Sequence, residues 1–278
     1  MKLSPDITQQ LKHIKHFALD MDGTIYNGST LFPFTNEFLS YLKQNGMGYS
    51  FLTNNPSKST NDYLKHLEKM GIPATADEMY TSAVATINYI KNHHPIIKRL
   101  FILGTPSMVK EFEEAGFIST ADSAEDKPDA LVVGFDTSLV YSRLCRAAYW
   151  ASQQLPYFAT NPDWVCPTDQ PNILVDCGSI CACIEGATNR KPDTVIGKPD
   201  PQMLDGILHQ YGLKPSEIAM VGDRIYTDVK MAKNAGALGV LVLSGEATTV
   251  DVQQSTVKPD IVARDLAELQ ELLQQAKN

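Results

Sequence analysis

Two carboxylates at positions i and i+2, Asp20 and Asp22, stand directly behind a short apolar run, Phe17-Ala18-Leu19, and are followed by Gly23 and Thr24. An apolar run of this length, ended by acidic residues and glycine, reads as a buried strand of a parallel sheet. A spacing of two places both side chains on one side of a strand. In open α/β sheets the crevice beyond the carboxyl ends of the strands is where ligands bind. A hard divalent cation such as Mg²⁺ takes carboxylate oxygens together with waters and phosphate oxygens. Two carboxylates also permit a division of labour, one as nucleophile and the other as proton donor. Plainer readings exist. Asp and Gly punctuate strand ends for local reasons, and a calcium loop counted from Asp20 would need Gly at its sixth position and Glu at its twelfth. Ile25 and Leu31 stand there, so the calcium reading fails, and the choice between turn and site rests on partners elsewhere in the chain.

Three further groups share the same placement at or beside an apolar strand end. Thr53 closes the Phe51-Leu52 run, and its hydroxyl, like the Asn54 backbone N–H, can donate to a phosphate oxygen. Lys198 lies between Gly197 and Pro199, and Asp223 ends a third apolar run with Asp228 five residues on. Each has a local explanation: a turn with a helix cap, a solvated lysine, a loop cap, an acid at a helix start. Together they describe a cation held by carboxylates and facing a Thr and a Lys, which suits phosphoryl transfer, where catalysis is mostly positioning and charge stabilisation.

The elements that must bring these residues together alternate strand and helix, the pattern of a parallel sheet with covering helices. Strands are expected at 17–19, 49–52, 218–221, 240–243 and 261–262. Helices are expected at 36–44, 59–70, through Val229, Ala232 and Ala235, and over the final leucines. Between about 81 and 190 the same pattern continues with strands at 99–103, 130–135 and 157–160 and helices at 82–91, 107–115, 139–154 and 178–186. That length is enough for a second core. The fold class is therefore α/β: a Rossmann-like parallel-sheet core formed by 1–80 and 191–278, interrupted by an inserted α/β domain at 81–190.

The strings DMDGT (20–24), LTNN (52–55), GKP (197–199) and GDRIYTD (222–228) resemble the four motifs of the haloacid dehalogenase superfamily of Asp-nucleophile phosphatases. The insert, with VVGFD (132–136), ATNPD (159–163) and CGSICACIE (177–185), resembles the large cap of the branch that holds 4-nitrophenyl, UMP-type nucleotide, phosphoglycolate and pyridoxal phosphatases. The resemblance implies that Asp20 is the nucleophile that becomes phosphorylated. Asp22 would protonate the leaving oxygen and then activate water. Mg²⁺ would take carboxylate oxygens of Asp20 and Asp223 and the backbone carbonyl of Asp22. Thr53, Asn54 and Lys198 would bind the phosphoryl group, Asp228 would support the metal site from behind, and Asp163 would bear on substrate choice. Asp22 and Asp223 favour phosphate-ester hydrolysis over dehalogenation, which needs neither, and no Schiff-base lysine of a small early cap suggests a phosphonate hydrolase. Many relatives carry a Pro-Gly-rich approach to the helix that begins near Gly178; here residues 171–177 read Pro-Asn-Ile-Leu-Val-Asp-Cys.

The whole chain agrees with this expectation. It has 278 residues, 43% hydrophobic and 20% charged, which belongs to a globular protein, and its formal net charge of −8 disfavours nucleic-acid binding. No run approaches the roughly 18 apolar residues of a membrane helix, the first residues lack a signal-peptide core, and the five cysteines, an odd number, read as reduced thiols. No membrane association and a cytoplasmic location are expected. Cys166, Cys177, Cys181 and Cys183 lack the paired knuckles of a zinc site and suit buried thiols. The expected partner is a small phosphorylated metabolite; the sequence itself is silent on oligomeric state, and a homodimer through the cap enters only from the resemblance, cap-mediated dimers being common in that branch. A phosphometabolite-binding regulator without turnover and a phosphotransferase are the rival functions.

Overall fold

The structure, a computed structural model, describes residues 4–168 and 171–277. The chain divides into two compact units, one of residues 1–52, 66–79 and 198–278 and the other of residues 53–65 and 80–197.

The first unit is built on a sheet ordered Ile261–Ala263, Leu238–Val242, Ile218–Gly222, His16–Asp20, Gly48–Thr53, Met79–Thr81, and its first five strands pair in parallel. Phe17, Ala18 and Leu19 are all fully buried, as a continuous apolar strand covered on both faces must be. Phe17 meets Phe38 of the helix Thr35–Gln44 edge-on, with ring centroids 6.0 Å apart. Register decides what stands together at the carboxyl ends. Leu19 is opposite Val221 and Asp20 is opposite Leu52, so the chain leaves the central strands at Asp20, Leu52 and Gly222 side by side.

The second unit carries a parallel five-stranded sheet ordered Thr194–Val195, Tyr157–Ala159, Ala130–Val133, Arg99–Leu103, Ile118–Ser119. The period of two along its strands sorts the core into two layers. Phe101, Leu103, Leu131 and Val133 pack with Trp150 of the helix Tyr141–Ser152 and Ile180 and Ile184 of the helix Cys177–Thr188. Leu100, Ile102, Ala130 and Val132 face the other way, onto Ile87 and Ile90 of Ser82–His93 and Phe112 of Pro106–Glu114. This unit is larger than the 81–190 stretch expected from sequence. Residues 53–65 join it because their polar groups are tied to it: Thr60 N donates to Glu111 Oε1 at 2.7 Å, and Thr105 Oγ1 donates to the Ser57 carbonyl at 2.7 Å.

Elements that the apolar pattern did not announce are short or irregular. They include an antiparallel hairpin of Tyr26–Asn27 with Thr30–Leu31, another of Val165–Cys166 with Leu174–Val175, and a π-helical turn over Ile225–Val229. Among the described residues no helix is long and apolar enough to cross a membrane.

His16 opens the first strand as a buried polar group. Its Nε2 lies 2.9 Å from Ser50 Oγ, its ring sits 4.5 Å from that of Tyr211, and a Cβ on Gly48 would come within 2.6 Å of its Nδ1. Burial pushes its pKa down to about 4. The folded protein thus holds the neutral ring while the unfolded chain binds a proton near pH 6.5, and the stability present above 6.5 is lost as pH falls from 6.5 to 4, by roughly 3 kcal/mol. Denaturant unfolding of the wild type and His16→Gln across this range should show a shallower pH dependence in the variant. Identical slopes would remove His16 from the account.

Candidate active site

The strand His16–Asp20 ends in a tight turn. The Met21 carbonyl accepts from Thr24 N at 3.2 Å and Ile25 N at 2.9 Å, and Gly23 N donates to the Tyr26 carbonyl at 2.8 Å. Gly23 has φ +85°, and a Cβ there would lie 2.3 Å from Asp223 Oδ2, so both backbone sign and space require glycine. The turn breaks the strand alternation after Asp20. Met21 is buried, whereas Asp22 is exposed and its Oδ1 accepts from Gly28 N at 3.2 Å.

The strand Ile218–Gly222 delivers Asp223 to the same end of the sheet. Asp223 Oδ2 accepts from Glu246 N at 2.7 Å, and a Cβ on Gly245 would stand 2.1 Å from that oxygen. Beyond Asp223 the helix opens into the π-turn, in which Val229 N reaches the Arg224 carbonyl five residues back at 3.3 Å. Such turns recur at functional sites. Here it folds Asp228 back onto the strand: Asp228 Oδ2 accepts from Arg224 N at 3.1 Å, and a Cβ on Gly222 would be 2.3 Å from the Asp228 carboxyl carbon.

Lys198 completes the group. Its ammonium is buried and ion-paired to Asp20 Oδ1 and, at 2.7 Å, to Asp228 Oδ1. Oxygens of Asp20, Asp223 and Asp228 lie within 4.8 Å of one another. Arg224 is paired with Glu246 at 2.9 Å and its charge also acts on Asp20 and Asp223, while Lys198 supplies the ammonium in direct contact with Asp20 and Asp228. The electrostatics follow. Burial pushes Asp20 up to about 7, with Asp228 and Asp223 adding to it and Lys198 opposing it. Burial, then Asp228, pushes Asp223 up to about 6. For Lys198 burial acts downward, yet Asp20 and Asp228 outweigh it and hold the ammonium charged.

A cation fits this arrangement. Asp223 Oδ1 is buried with no hydrogen-bond donor among the described residues, and every donor atom in the cluster is a carboxylate oxygen, the preference of a hard divalent ion. Asp20 and Asp223, two of the expected ligands, are in the cluster. The carboxylate of Asp22 is not, and Asp228, expected to support the site, brings an oxygen within 4.8 Å of theirs through the π-turn, with its Oδ1 paired to Lys198 and its Oδ2 accepting from Arg224 N. Gly222 and Gly245 make the room through their missing Cβ atoms; Gly222 opens the GDRIYTD string, whereas Gly245 carried no signal in the sequence. Thr53 is the last residue of its strand, and its Oγ1 accepts from Asn55 N at 3.2 Å. Asn54 is buried, and its Nδ2 donates to Asp163 Oδ2 at 2.9 Å.

A family model described as haloacid dehalogenase-like hydrolase matches residues 17–118, and a second, HAD-hydrolase-like, matches residues 195–269. An acid sugar phosphatase of Staphylococcus aureus is 32% identical over 258 residues, 93% of this chain and 97% of the relative. A 4-nitrophenylphosphatase structure from Thermotoga maritima is 41% identical with a TM-score of 0.89, covering 94% of this chain and 98% of that one. A glycerol phosphate phosphatase from Mycobacterium tuberculosis, solved in complex with magnesium and also with calcium, is 27% identical. In the magnesium complex its TM-score is 0.85, over 94% of this chain and 78% of that one.

Two outcomes follow from the crowded carboxylates. Their raised pKa values mean that the protonated forms favour the metal-free fold; that contribution is complete below pH 3.8 and is lost as pH rises through 6 to 7. A cation needs the ionised forms, so Mg²⁺ affinity measured by calorimetry should rise about tenfold or more between pH 5.5 and 7.5; a flat profile contradicts this. Gly245→Ala should weaken Mg²⁺ by roughly tenfold or more, because Asp223 must move, and unchanged affinity contradicts the cradle.

Proposed function

The chain belongs to the haloacid dehalogenase-like hydrolases, and from that premise we propose a Mg²⁺-dependent phosphatase that cleaves small phosphate monoesters through a phosphorylated Asp20. Hydrolysis of phosphoric monoesters is the activity of the chain. The observation that carries the finer reading is the buried cluster of Asp20, Asp223 and Asp228 around Lys198 at the end of the sheet.

The Asp20 carboxylate attacks phosphorus and Asp22, exposed and close in the chain, protonates the departing oxygen; Asp22 then takes a proton from the water that cleaves the acyl phosphate. Lys198 offsets charge on the phosphoryl oxygens and keeps Asp20 oriented between attacks. Thr53 and Asn54, one and two residues past Leu52, which pairs with Asp20, would donate to the phosphoryl group. Mg²⁺, when bound, would be held by Asp20, Asp223 and the backbone carbonyl of Asp22 and would supply further neutralisation of phosphoryl charge.

The substrate class is a small metabolite, of the sugar phosphate, nucleotide or phosphoglycolate kind. The similar proteins named acid sugar phosphatase and glycerol phosphate phosphatase favour the sugar phosphate kind among these. Purified protein with Mg²⁺ should release phosphate from 4-nitrophenyl phosphate and from glycerol phosphate, and Asp20→Asn should lower turnover by at least about a thousandfold. Turnover that survives the substitution, or no turnover across a broad panel of phosphate esters, contradicts the reading. Transfer of phosphate to added alcohol in preference to water would make the protein a phosphotransferase.

A further inference from the structure

A cavity of about 580 Å³ lies wholly within the first unit, lined by the π-turn, the loop at Glu246 and the stretch from Asp251 to Val257. Its size is that of a small-molecule pocket. The floor is apolar: Ile225 and Ala247 are buried, and the half-buried Val257 packs with them. Tyr226, 55% exposed, lines the wall.

The polar lining is unevenly satisfied. Both carboxylates are engaged. Glu246 Oε1 accepts from the Tyr226 hydroxyl at 2.8 Å, and Glu246 Oε2 lies 2.9 Å from Arg224 Nε. Asp251 Oδ2 accepts from Thr248 N at 2.8 Å and Thr248 Oγ1 at 2.6 Å. The cations are not engaged to the same degree. The Lys230 ammonium meets no acceptor or carboxylate among the described residues. Arg224 Nε is buried without a hydrogen-bond acceptor among them, so its pairing with Glu246 is a charge contact and not an aligned hydrogen bond. Guanidinium and ammonium groups bond most strongly to ionised oxygens. An anionic group would supply those acceptors, and a flat ring attached to it would cover the apolar floor beside Tyr226.

The residues of this ion pair also hold the cluster. Arg224 N donates to Asp228 Oδ2 at 3.1 Å, and Glu246 N donates to Asp223 Oδ2 at 2.7 Å. The Arg224 charge acts on Asp20 and Asp223 as well. An anion beside Arg224 offsets that charge and makes the carboxylates a better host for a cation.

We propose that this cavity binds a small aromatic monoanion, its charged group at Lys230 and Arg224, and that occupation tightens the hold of the carboxylate cluster on Mg²⁺. The coupling rests on the cation reading of the cluster; the pocket does not. The probe is 2-naphthoate, with neutral 2-naphthamide as control, titrated into the full chain and followed by ¹H–¹⁵N NMR. Naphthoate should give saturable shifts at Ala247, Thr256 and Val257 with roughly millimolar affinity, as suits a ligand of this size. Naphthamide should bind about tenfold more weakly, and Lys230→Glu should cost about tenfold in naphthoate affinity while leaving naphthamide unchanged. No shifts at these residues, or equal naphthoate affinity in Lys230→Glu, would overturn the pocket. Calorimetry with saturating naphthoate should show Mg²⁺ bound about threefold or more tighter, with no effect of naphthamide. Unchanged or weaker Mg²⁺ binding would overturn the coupling. A protein that binds no Mg²⁺ with or without naphthoate would sink the cation reading and the coupling with it, and the NMR titration decides the pocket by itself.

Discussion

A surplus of buried negative charge governs this molecule. Carboxylate oxygens from Asp20, Asp223 and Asp228 come within 4.8 Å of one another with a single ammonium, Lys198, in contact with two of them. Burying an ion costs several kcal/mol unless it is paired and hydrogen-bonded, and like charges at this range drive one another toward protonation. The fold tolerates the cluster because Lys198 and the backbone donors at Arg224 and Glu246 satisfy part of it. The remainder is an unmet demand for positive charge, centred on Asp223 Oδ1. Functional sites are often places where a protein gives up stability for readiness, and this one is poised for a cation and a phosphate.

The scaffold meets that demand through register and through missing atoms. Parallel pairing of His16–Asp20 with Ile218–Gly222 and Gly48–Thr53 brings distant residues to one edge. Three glycines then let backbone and carboxylates approach more closely than any Cβ would allow: Gly23 and Gly245 against Asp223, and Gly222 against Asp228. The turn after Asp20 and the π-turn after Asp223 are both departures from regular structure, and both aim a carboxylate. Local irregularity at a site that local rules would not choose is what consistency across levels leads one to expect.

How far the sequence could be read follows the same division. Apolar runs such as Phe17-Ala18-Leu19 and Ile218-Ala219-Met220-Val221 announced the central strands because burial on both faces leaves no polar position to confuse the pattern. Asp20, Lys198 and Asp223 were visible as acids and a base set at strand ends. What stayed hidden depended on three-dimensional approach. Strand alternation put Asp22 on the same side as Asp20, but the chain turns at Met21 and sends the Asp22 carboxylate to Gly28 N. Helical spacing through Val229, Ala232 and Ala235 was sound for the stretch from Lys230, yet it could not show the extra residue of the π-turn that carries Asp228 into the cluster. Two-residue strands such as Val165–Cys166 are too short to show a period, and Asp163 offered no sign of its long-range partner, Asn54.

The central claim is that Asp20 takes the phosphoryl group beside a cation it shares with Asp223. A crystal grown with Mg²⁺ and soaked in beryllofluoride tests it most directly. The account predicts beryllium bonded to an Asp20 carboxylate oxygen, with one magnesium ion bound by Asp20 and Asp223. An unmodified Asp20 in a crystal whose cluster holds no ion, or beryllofluoride bonded to any other side chain, would contradict it.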